Sequence, residues 1–581
     1  VQAIGSGTDG GGFNHTENAM LNAPLAQDIA ALRLVVTNEN ISGWIDRDVL
    51  NPFPPEVNNS TQRGNVAAAP VAEKFTETNW ETLRSGRVAL LVTPLEHLSV
   101  TAGVLYQRIA QGASNIIDVP PGNEVHYQPF DVSEPFKDTF NLYDLTIKYD
   151  FNSFQITSAT ASWNRQENQS QDESELLQYY IGGFFGPPAS FPFAIAAGGF
   201  GGGAITENDY TRQFSEELRV ASSGDSALQW LFGGYYSTFH ATSHVYTFLD
   251  SFIDLFGTNN LADNHRLLNI DQYAVFGESS YRLPDNFKAT LGLRYFTYHS
   301  NSATSVSGVS ANGTSETLFG LASNSGVTPK VNLAYIPNVD TTIYGTISKG
   351  FRPGGPNSPI PPPCPVAPKQ FGPDSVWSYE LGEKKKLLDS RISINGDVYY
   401  EAWSDIQQEV APGCGFKFTA NAGKAKVYGA ELELAVVPLQ GLVLSQSVGY
   451  AHATNSVNVP AAGVVAGDRL LNVPEVTANT TLLYRYPLQG TMNLVTRFNN
   501  SYIDSVQDIT FGRNTLPAYD LVGARFGVET DRWSVLAFVD NLTDKRALLS
   551  DTGSLTTNIS ILNRVSTIQP RTIGVDLNYK F

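Results

Sequence analysis

The sequence predicts an all-β protein, a transmembrane antiparallel β-barrel of about 22 strands with short periplasmic turns and long extracellular loops. Apolar and polar residues alternate in many short runs, tight turns alternate with longer connections, and no run could form a spanning helix. Because lipid accepts only helices and closed barrels, strands must do the spanning. The whole chain, residues 1–581, is predicted to be one barrel domain.

The closing strand shows the alternation most clearly. Period two places two sets of residues on opposite faces: Ile573, Val575, Leu577, Tyr579 and Phe581, and Thr572, Gly574, Asp576, Asn578 and Lys580. An apolar face that ends in Tyr-x-Phe suits contact with lipid, with the aromatic rings at the headgroup boundary. We therefore expect Arg571–Phe581 to be the last strand of the barrel.

Other runs alternate in the same way, namely Leu98–Tyr106, Phe287–Tyr295, Ile392–Tyr400, Tyr428–Leu434 and Ala478–Tyr486. The faces opposite their apolar residues carry charges, which include Arg294, Asp397, Glu431, Glu433 and Arg485. These charges are predicted to point into a lumen that is wet or filled by polar protein.

Ten turn-like segments set the strand count. They are Pro24–Ala30, Thr93–His97, Tyr149–Ser153, Ser222–Ala227, Leu283–Asn286, Pro337–Thr341, Leu387–Arg391, Val437–Gly441, Tyr486–Gly490 and Glu529–Arg532. Two strands for each turn, a first strand near Val1–Asp9 and the closing strand together give 22. The first strand is the weakest element, because its glycine-rich sequence has little strand propensity.

The connections on the other rim are longer and contain many Gly, Pro, Asn and Ser residues. The largest are predicted at Asn164–Tyr210, Thr297–Gly326, Gly354–Ser375 and Ala547–Pro570. Short turns on one rim and long loops on the other are typical of outer-membrane barrels, and a soluble sandwich or propeller would not need this asymmetry.

The composition limits the classes of partner that this protein can bind. The formal net charge is −18, which disfavours a nucleic-acid partner. The expected surroundings are outer-membrane lipid, and a monomer is expected. Cys364 and Cys414 lie in Pro/Gly-rich polar segments, and the sequence leaves open whether they form a disulfide.

Six segments, taken in order, resemble the barrel portion of a TonB-dependent outer-membrane receptor. They are Asp271–Tyr295, Tyr344–Gly355, Trp377–Gln407, Asn421–Leu434, Phe538–Ala547 and Arg571–Phe581. The resemblance covers nearly the whole chain. It implies a lumen closed by an N-terminal plug domain, and an inner-membrane energy-coupling complex as a partner.

The chain departs from the family at its start. Val1 falls where the first barrel strand would begin, so neither a plug nor the motif that contacts the coupling protein is expected in these residues. A fragment, a plug on a separate polypeptide and a plugless pore all fit, and we favour the fragment.

Candidate ligand-binding residues lie in the extracellular loops. An apolar segment carries seven aromatic residues between prolines and glycines: Tyr179, Tyr180, Phe184, Phe185, Phe191, Phe193 and Phe200. An exposed apolar patch of this kind usually has a partner, which is either a ligand or neighbouring loops and the plug. Arg352 follows a strand that rises toward the mouth, where it would meet an anionic ligand or pair with a carboxylate.

Other motifs favour structural interpretations. Gly198–Ala204 is glycine-rich but lacks the Lys-Ser/Thr of a phosphate loop. His240 and His244 would share one face of a strand and could share a metal, but no third ligand is evident, so solvated histidines are expected. Asn541 and Asp544 suit a turn, since their side chains hydrogen-bond to the backbone. The sequence contains no catalytic constellation, and no enzyme activity or cofactor is expected.

The resemblance implies active uptake of a scarce solute, such as a ferric siderophore, another metal chelate, a vitamin or an oligosaccharide. A passive plugless channel and a non-transporting surface receptor remain alternatives. Tyr579 and Phe581 are expected to act also as the signal that the outer-membrane assembly machinery reads.

Overall fold

The computed structural model describes residues 1–54, 64–175, 177, 201–250, 253, 257–309, 316–357, 368–410, 418–507, 515–551 and 564–581. Its main element is a closed sheet of 22 antiparallel strands, in which the first strand pairs with both the second and the last. The predicted fold class and strand number are confirmed. Among the described residues, no helix has the length and apolarity needed to cross a membrane.

The barrel strands follow one another around the wall in chain order. They are β1 (Gln2–Thr8), β2 (Phe13–Ala26), β3 (Ala30–Ile41), β4 (Glu81–Leu95), β5 (Leu98–Gln111), β6 (Phe136–Phe151), β7 (Phe154–Asp172), β8 (Gly203–Ser222), β9 (Leu228–Leu249), β10 (Asn260–Arg282), β11 (Phe287–Ser307), β12 (Glu316–Asn338), β13 (Thr341–Arg352), β14 (Asp374–Leu387), β15 (Ile392–Val410), β16 (Phe418–Leu439), β17 (Leu442–Asn455), β18 (Val476–Pro487), β19 (Asn493–Ile503), β20 (Tyr519–Glu529), β21 (Trp533–Asp540) and β22 (Thr572–Tyr579).

Short elements lie within the longer connections. The short strands are Asp46–Leu50, Val71–Phe75, Ile116–Asp118, Val125–Gln128, Gly355–Pro356, Gln370–Phe371, Val506–Gln507, Thr515–Leu516, Leu548–Asp551 and Arg564–Thr567. Two short 3-10 helices cover Val66–Ala68 and Pro460–Ala462.

All ten predicted tight turns join consecutive barrel strands, so these turns are confirmed. Their residue types explain their geometry. In the turn between β10 and β11, Asp285 and Asn286 have φ values of 59° and 66°. Asp and Asn enter this left-handed region at less cost than most residues, because their short polar side chains can hydrogen-bond locally.

The rim opposite the tight turns, which we call the mouth, differs from the prediction in three connections. The predicted loops Asn164–Tyr210 and Thr297–Gly326 were too long, because β7, β8, β11 and β12 continue as paired strands well into them. The many polar residues of these segments had suggested loops, but they belong to the part of the sheet that continues above the apolar band. The connection 42–80 is also long and was not among the predicted large loops.

The two faces of the wall carry different chemistry. Leu291 and Leu293 on β11 are 61% and 56% exposed and lie on the outer, apolar face. Arg294 points to the other face, where its guanidinium lies over the rings of Tyr235 and Phe276 at 5.3 and 5.4 Å. The predicted placement of charges in the lumen is therefore confirmed for this strand.

The seam, which is the pair formed by β1 and β22, closes the barrel. Gly5 lies opposite Val575, and Ser6 lies opposite Gly574. A Cβ on Gly574 would approach the carbonyl oxygen of Gly5 to 2.5 Å, so glycine permits the close approach of the two backbones. Gly574 of β22 thus serves the closure of the sheet, whereas a Cβ on Gly7 of β1 would meet nothing within 4 Å.

Candidate functional site

Three connections at the mouth fold together into what we call the loop cluster, formed by the described residues of 42–80, 112–135 and 541–571. Strand 46–50 pairs with 71–75 on one side and with 125–128 on the other. A second small sheet joins 564–567 to both 548–551 and 116–118. Trp44, Ile45 and Ile117 form the apolar core of the loop cluster. The mouth is therefore built by ordered structure from distant parts of the chain.

A buried ion pair ties the loop cluster to the barrel wall. Arg564 lies within 2.9 Å of Asp172, the last residue of β7, and also donates to its backbone carbonyl. The two side chains are 9% and 0% exposed. Burial of both charges costs desolvation energy, which the paired and hydrogen-bonded geometry offsets.

A histidine lies next to this ion pair in the loop cluster. The His126 ring nitrogens lie 3.2 Å from an Asp118 oxygen and 3.3 Å from a Glu134 oxygen. Burial alone would lower the pKa of His126, but the two carboxylates outweigh burial and the charge of Arg564, so its pKa is raised. The arrangement favours a protonated His126, whose ring bridges Asp118 and Glu134 within the connection 112–135.

The predicted aromatic segment starts from an anchored base. Leu177 packs against Leu249, and the backbone N–H groups of Glu173 and Asp250 donate to the carbonyls of Gly203 and Gly202. Burial raises the pKa of Glu173 to about 7. The aromatic residues Tyr179, Tyr180, Phe184, Phe185, Phe191, Phe193 and Phe200 lie outside the described residues.

A cavity of about 440 Å³ opens next to the seam, toward the mouth. Polar and apolar residues line it in about equal measure, and the polar ones include Asn14, Glu39, Asn499, Arg525 and Asp540. Arg525 lies 3.8 Å from Asp540 and 3.6 Å from Asp576. Both the size and the mixture of charged and amide groups suit a small polar ligand or a segment of a plug.

The inner face of β14–β16 carries an acidic patch. Asp397 lies directly opposite Glu431, and the Tyr344 hydroxyl donates to Glu380 at 2.6 Å. Lys384 approaches the same tyrosine ring at 5.7 Å. This patch gives the lumen a negative wall that would attract basic groups.

The family model "TonB dependent receptor-like, beta-barrel" matches residues 100–542. The chain belongs to this family. It is an outer-membrane β-barrel, and the family to which it belongs comprises transport receptors and not enzymes. The resemblance drawn from the six sequence segments is confirmed.

Individual relatives match part of this TonB-dependent receptor barrel. The pesticin receptor of Yersinia enterocolitica is 25% identical over 339 residues, which are 57% of this chain and 47% of that protein. The metal-pseudopaline receptor CntO of Pseudomonas aeruginosa is 24% identical over 226 residues, which are 38% of this chain and 29% of that protein. The matched parts thus span less than half the length of these curated relatives.

A solved structure shares the fold across the whole chain. The ferric yersiniabactin uptake receptor FyuA from Yersinia pestis superposes with a TM-score of 0.78 at 15% identity, covering 100% of this chain and 79% of that one. At this identity the likeness shows the fold alone.

Arg352, the predicted anion-contacting residue of this receptor barrel, is paired with a carboxylate. Its Nε lies 3.1 Å from Asp374, which is the directly opposite residue on β14, and its guanidinium lies over the Trp403 ring at 5.6 Å. Its side chain nevertheless remains 52% exposed at the mouth. A role in ligand binding stays a prediction.

The two histidines singled out from sequence do not meet each other. His240 contacts the Asn269 amide oxygen at 2.6 Å, whereas His244 contacts Asp263 at 2.8 Å. His265 joins His244 and Asp263 in a group of three possible metal ligands that the sequence had not shown. β9 and β10 are joined at the mouth and not by a tight turn, so their register could not be counted from the sequence.

Two further sequence interpretations concern the ends of strands. Asn541 accepts from the Lys545 N–H at 2.8 Å, and Asp544 accepts from the Arg571 N–H at 2.9 Å, which confirms their structural role in a turn. Tyr579 and Phe581 lie on the outer face with their rings in edge contact at 4.9 Å. Cys364 and Cys414 lie outside the described residues.

Proposed function

We propose that this barrel belongs to an active-transport receptor that takes up a scarce solute across the outer membrane, with a ferric siderophore or another metal chelate as the preferred class. The observation that carries the proposal is an ordered mouth, held by buried ion pairs, above a wide polar lumen. Two similar proteins whose names specify a metal compound, the metal-pseudopaline receptor CntO and the ferric yersiniabactin uptake receptor FyuA, support a chelate as ligand.

The mouth would bind the ligand. The aromatic segment at 179–200 would contact its apolar parts, and Arg352 would contact an anionic group. The anchored base formed by Asp172, Leu177 and Leu249 would hold this segment in place and so reduce the entropy lost on binding. A plug domain would close the lumen, and an inner-membrane coupling complex would supply the energy to open it.

Uptake of labelled iron by a deletion strain tests the proposal. We expect loss of uptake for at least one ferric chelate, recovery with the intact gene, and inhibition when a protonophore collapses the inner-membrane proton gradient. Uptake that the protonophore leaves unchanged would contradict active transport, and unchanged growth on every iron source would contradict iron uptake.

Substitution of Arg352 tests the binding site within the mouth. Arg352→Gln keeps a hydrogen-bond donor for Asp374 but removes the positive charge, so affinity for an anionic chelate should fall about tenfold or more. Arg391→Gln is the matched control, because Arg391 lies on the opposite rim, where it donates to the carbonyls of Val437 and Pro438. Equal affinity of both variants would remove Arg352 from the site.

A passive channel is the second candidate, because luminal charges are accessible to solvent. Glu278 and Lys330, which pair at 3.0 Å on the inner face, are 42% and 47% exposed. Under the main proposal, the purified 581-residue barrel conducts steadily in a planar bilayer, while the receptor in cells does not leak. If cells become permeable to a general small solute whenever this protein is present, the passive channel is supported.

A further inference from the structure

Two histidines and an aspartate meet on neighbouring strands near the mouth. His244 on β9 lies directly opposite His265 on β10, and their rings stack at 4.0 Å with a 12° angle between planes. The Nε2 atoms of both rings approach the same Asp263 oxygen, at 2.8 and 3.1 Å. Three ligand atoms of metal-binding types thus lie within 4.8 Å of one another.

The group is on the outer face of the wall, outside the lumen. Strand alternation is unbroken from His244 to Tyr236 and from Asp263 to Tyr273, so these residues share one face. Tyr236 and Tyr273 are in ring contact at 4.9 Å, next to the exposed Val275 on the apolar outer face. Eight further residues at about 3.3 Å each, with a strand tilt of about 40°, place the histidines about 20 Å beyond that contact.

We propose that His244, Asp263 and His265 form a binding site for a divalent transition-metal ion of the zinc type. Two imidazole nitrogens and one carboxylate oxygen favour zinc, copper or nickel over calcium and magnesium, which prefer oxygen ligands. In a tetrahedral zinc site with bonds of about 2.0–2.1 Å, neighbouring ligand atoms lie about 3.3 Å apart. The two Nε2–oxygen distances, 2.8 and 3.1 Å, are close to this value, and the two stacked rings must turn so that both lone pairs point at one ion.

The fourth coordination position faces open space. A depression of about 400 Å³ adjoins the two imidazoles and is lined also by Leu267, Ala303 and Ser305. A single carboxylate leaves a bound divalent ion with net positive charge, so the fourth ligand is water or an anionic oxygen from the surroundings. The site is therefore an open one, which differs from the closed four-ligand sites of structural zinc.

Binding of Zn²⁺ to the purified full chain in detergent tests this site. The cysteines Cys364 and Cys414 are replaced by serine in every sample, so that thiolates do not contribute. We expect one Zn²⁺ per chain, and Co²⁺ substitution should give the visible absorption of a four-coordinate ion. Asp263→Asn and His265→Gln should each weaken binding by about 100-fold or more, since loss of an outer-shell partner alone costs about 10–100-fold.

His240→Gln is the matched control. His240 lies on the same strand and face as His244, but it contacts Asn269. Its substitution should leave Zn²⁺ affinity and the Co²⁺ spectrum unchanged. Circular dichroism and heat-dependent migration on gels establish that each variant is folded. The proposal is overturned if folded Asp263→Asn binds Zn²⁺ as tightly as the parent, or if His240→Gln weakens binding as much as His265→Gln.

Discussion

The barrel wall and the loop cluster are held together in opposite ways. In the wall, each strand pairs with its neighbours through long backbone ladders, and all ten tight turns join strands that are adjacent in sequence. The loop cluster combines two small sheets with individual side-chain contacts, and Arg564 joins it to Asp172 of the wall across 392 positions of sequence. The wall therefore spreads its stability over many equivalent contacts, whereas the loop cluster depends also on individual buried charges.

Of the substitutions proposed here, removal of Arg564 should have the largest effect on stability, and that effect should be confined to the loop cluster. Arg564→Met leaves Asp172 buried without its cation, which costs about 3–5 kcal/mol for a buried pair. Hydrogen exchange should rise at amides of strands 116–118 and 125–128, while amides in the wall strands β14–β16 keep their protection. Uniform loss of protection across the whole barrel would contradict a separate, concentrated source of stability in the loop cluster.

Arg571→Met is the control for that experiment. Arg571 pairs with Asp9 at 2.7 Å, but both side chains are well exposed, at 39% and 45%. Exposed pairs contribute about 0–1 kcal/mol, so exchange in the loop cluster should stay close to that of the parent protein.

A substitution at the seam tests the wall itself. Gly574→Ala places a Cβ 2.5 Å from the Gly5 carbonyl oxygen and 2.6 Å from the Phe538 ring, so the free energy of unfolding should fall by about 1–3 kcal/mol. Gly7→Ala is the control, because a Cβ there meets nothing within 4 Å. Urea unfolding from detergent measures both. Equal midpoints would mean that the seam relaxes without cost.

The wall could be predicted from sequence because its rules are local. Period-two alternation fixed the outer and inner faces, and residues such as Asp285 and Asn286 marked turns with positive φ. The ends of β7, β8, β11 and β12 were missed because most residues of these segments are polar, although the exposed Phe319 and Leu321 of β12 also lie there. There the pattern no longer distinguishes a strand from a loop.

The mouth could be predicted only in part, since its contacts are non-local. Arg352 was identified from its place at the end of a strand, and its pairing with Asp374 fits one of the two expected roles. Arg564 gave no signal because its partner Asp172 lies 392 positions away, and His126 and Glu173 gave none because their properties depend on burial that the residue pattern does not reveal. His265 and Asp263 were missed since the register of β9 against β10 depends on the stagger of the whole barrel.

The loop cluster should open more readily as pH rises. The raised pKa of His126 means that its stabilisation is complete below its ordinary pKa and is lost as pH rises through the folded value. The pKa of Glu173, raised to about 7, acts in the same direction, since the folded state holds that proton more tightly between about pH 4.5 and 7. Glu173 itself lies outside the loop cluster, directly after the end of β7, so its effect should appear at the neighbouring start of β8. The rest of the wall should respond less.

Hydrogen exchange between pH 5 and 8, corrected for the intrinsic exchange rate, measures this difference. His126→Gln should remove part of the pH dependence at strand 125–128, and Glu173→Gln should remove part of it near Gly203. If protection in the loop cluster increases with pH, the assigned directions of the two pKa shifts are wrong.

Deletion of Phe581 should have the smallest effect on the folded barrel, and a large one on its assembly. Phe581 is 100% exposed, and its ring contacts Tyr579 on the outer face. The free energy of unfolding obtained from urea titration of the refolded barrel should therefore change by less than about 0.5 kcal/mol. We propose that the assembly machinery reads this residue, so the amount of protein in the outer membrane should fall several-fold when it is absent. Leu488→Ser, in a tight turn on the same rim as Phe581, controls for loss of an exposed apolar side chain. If both variants reach the outer membrane at the parent level, Phe581 is only a surface residue of the wall.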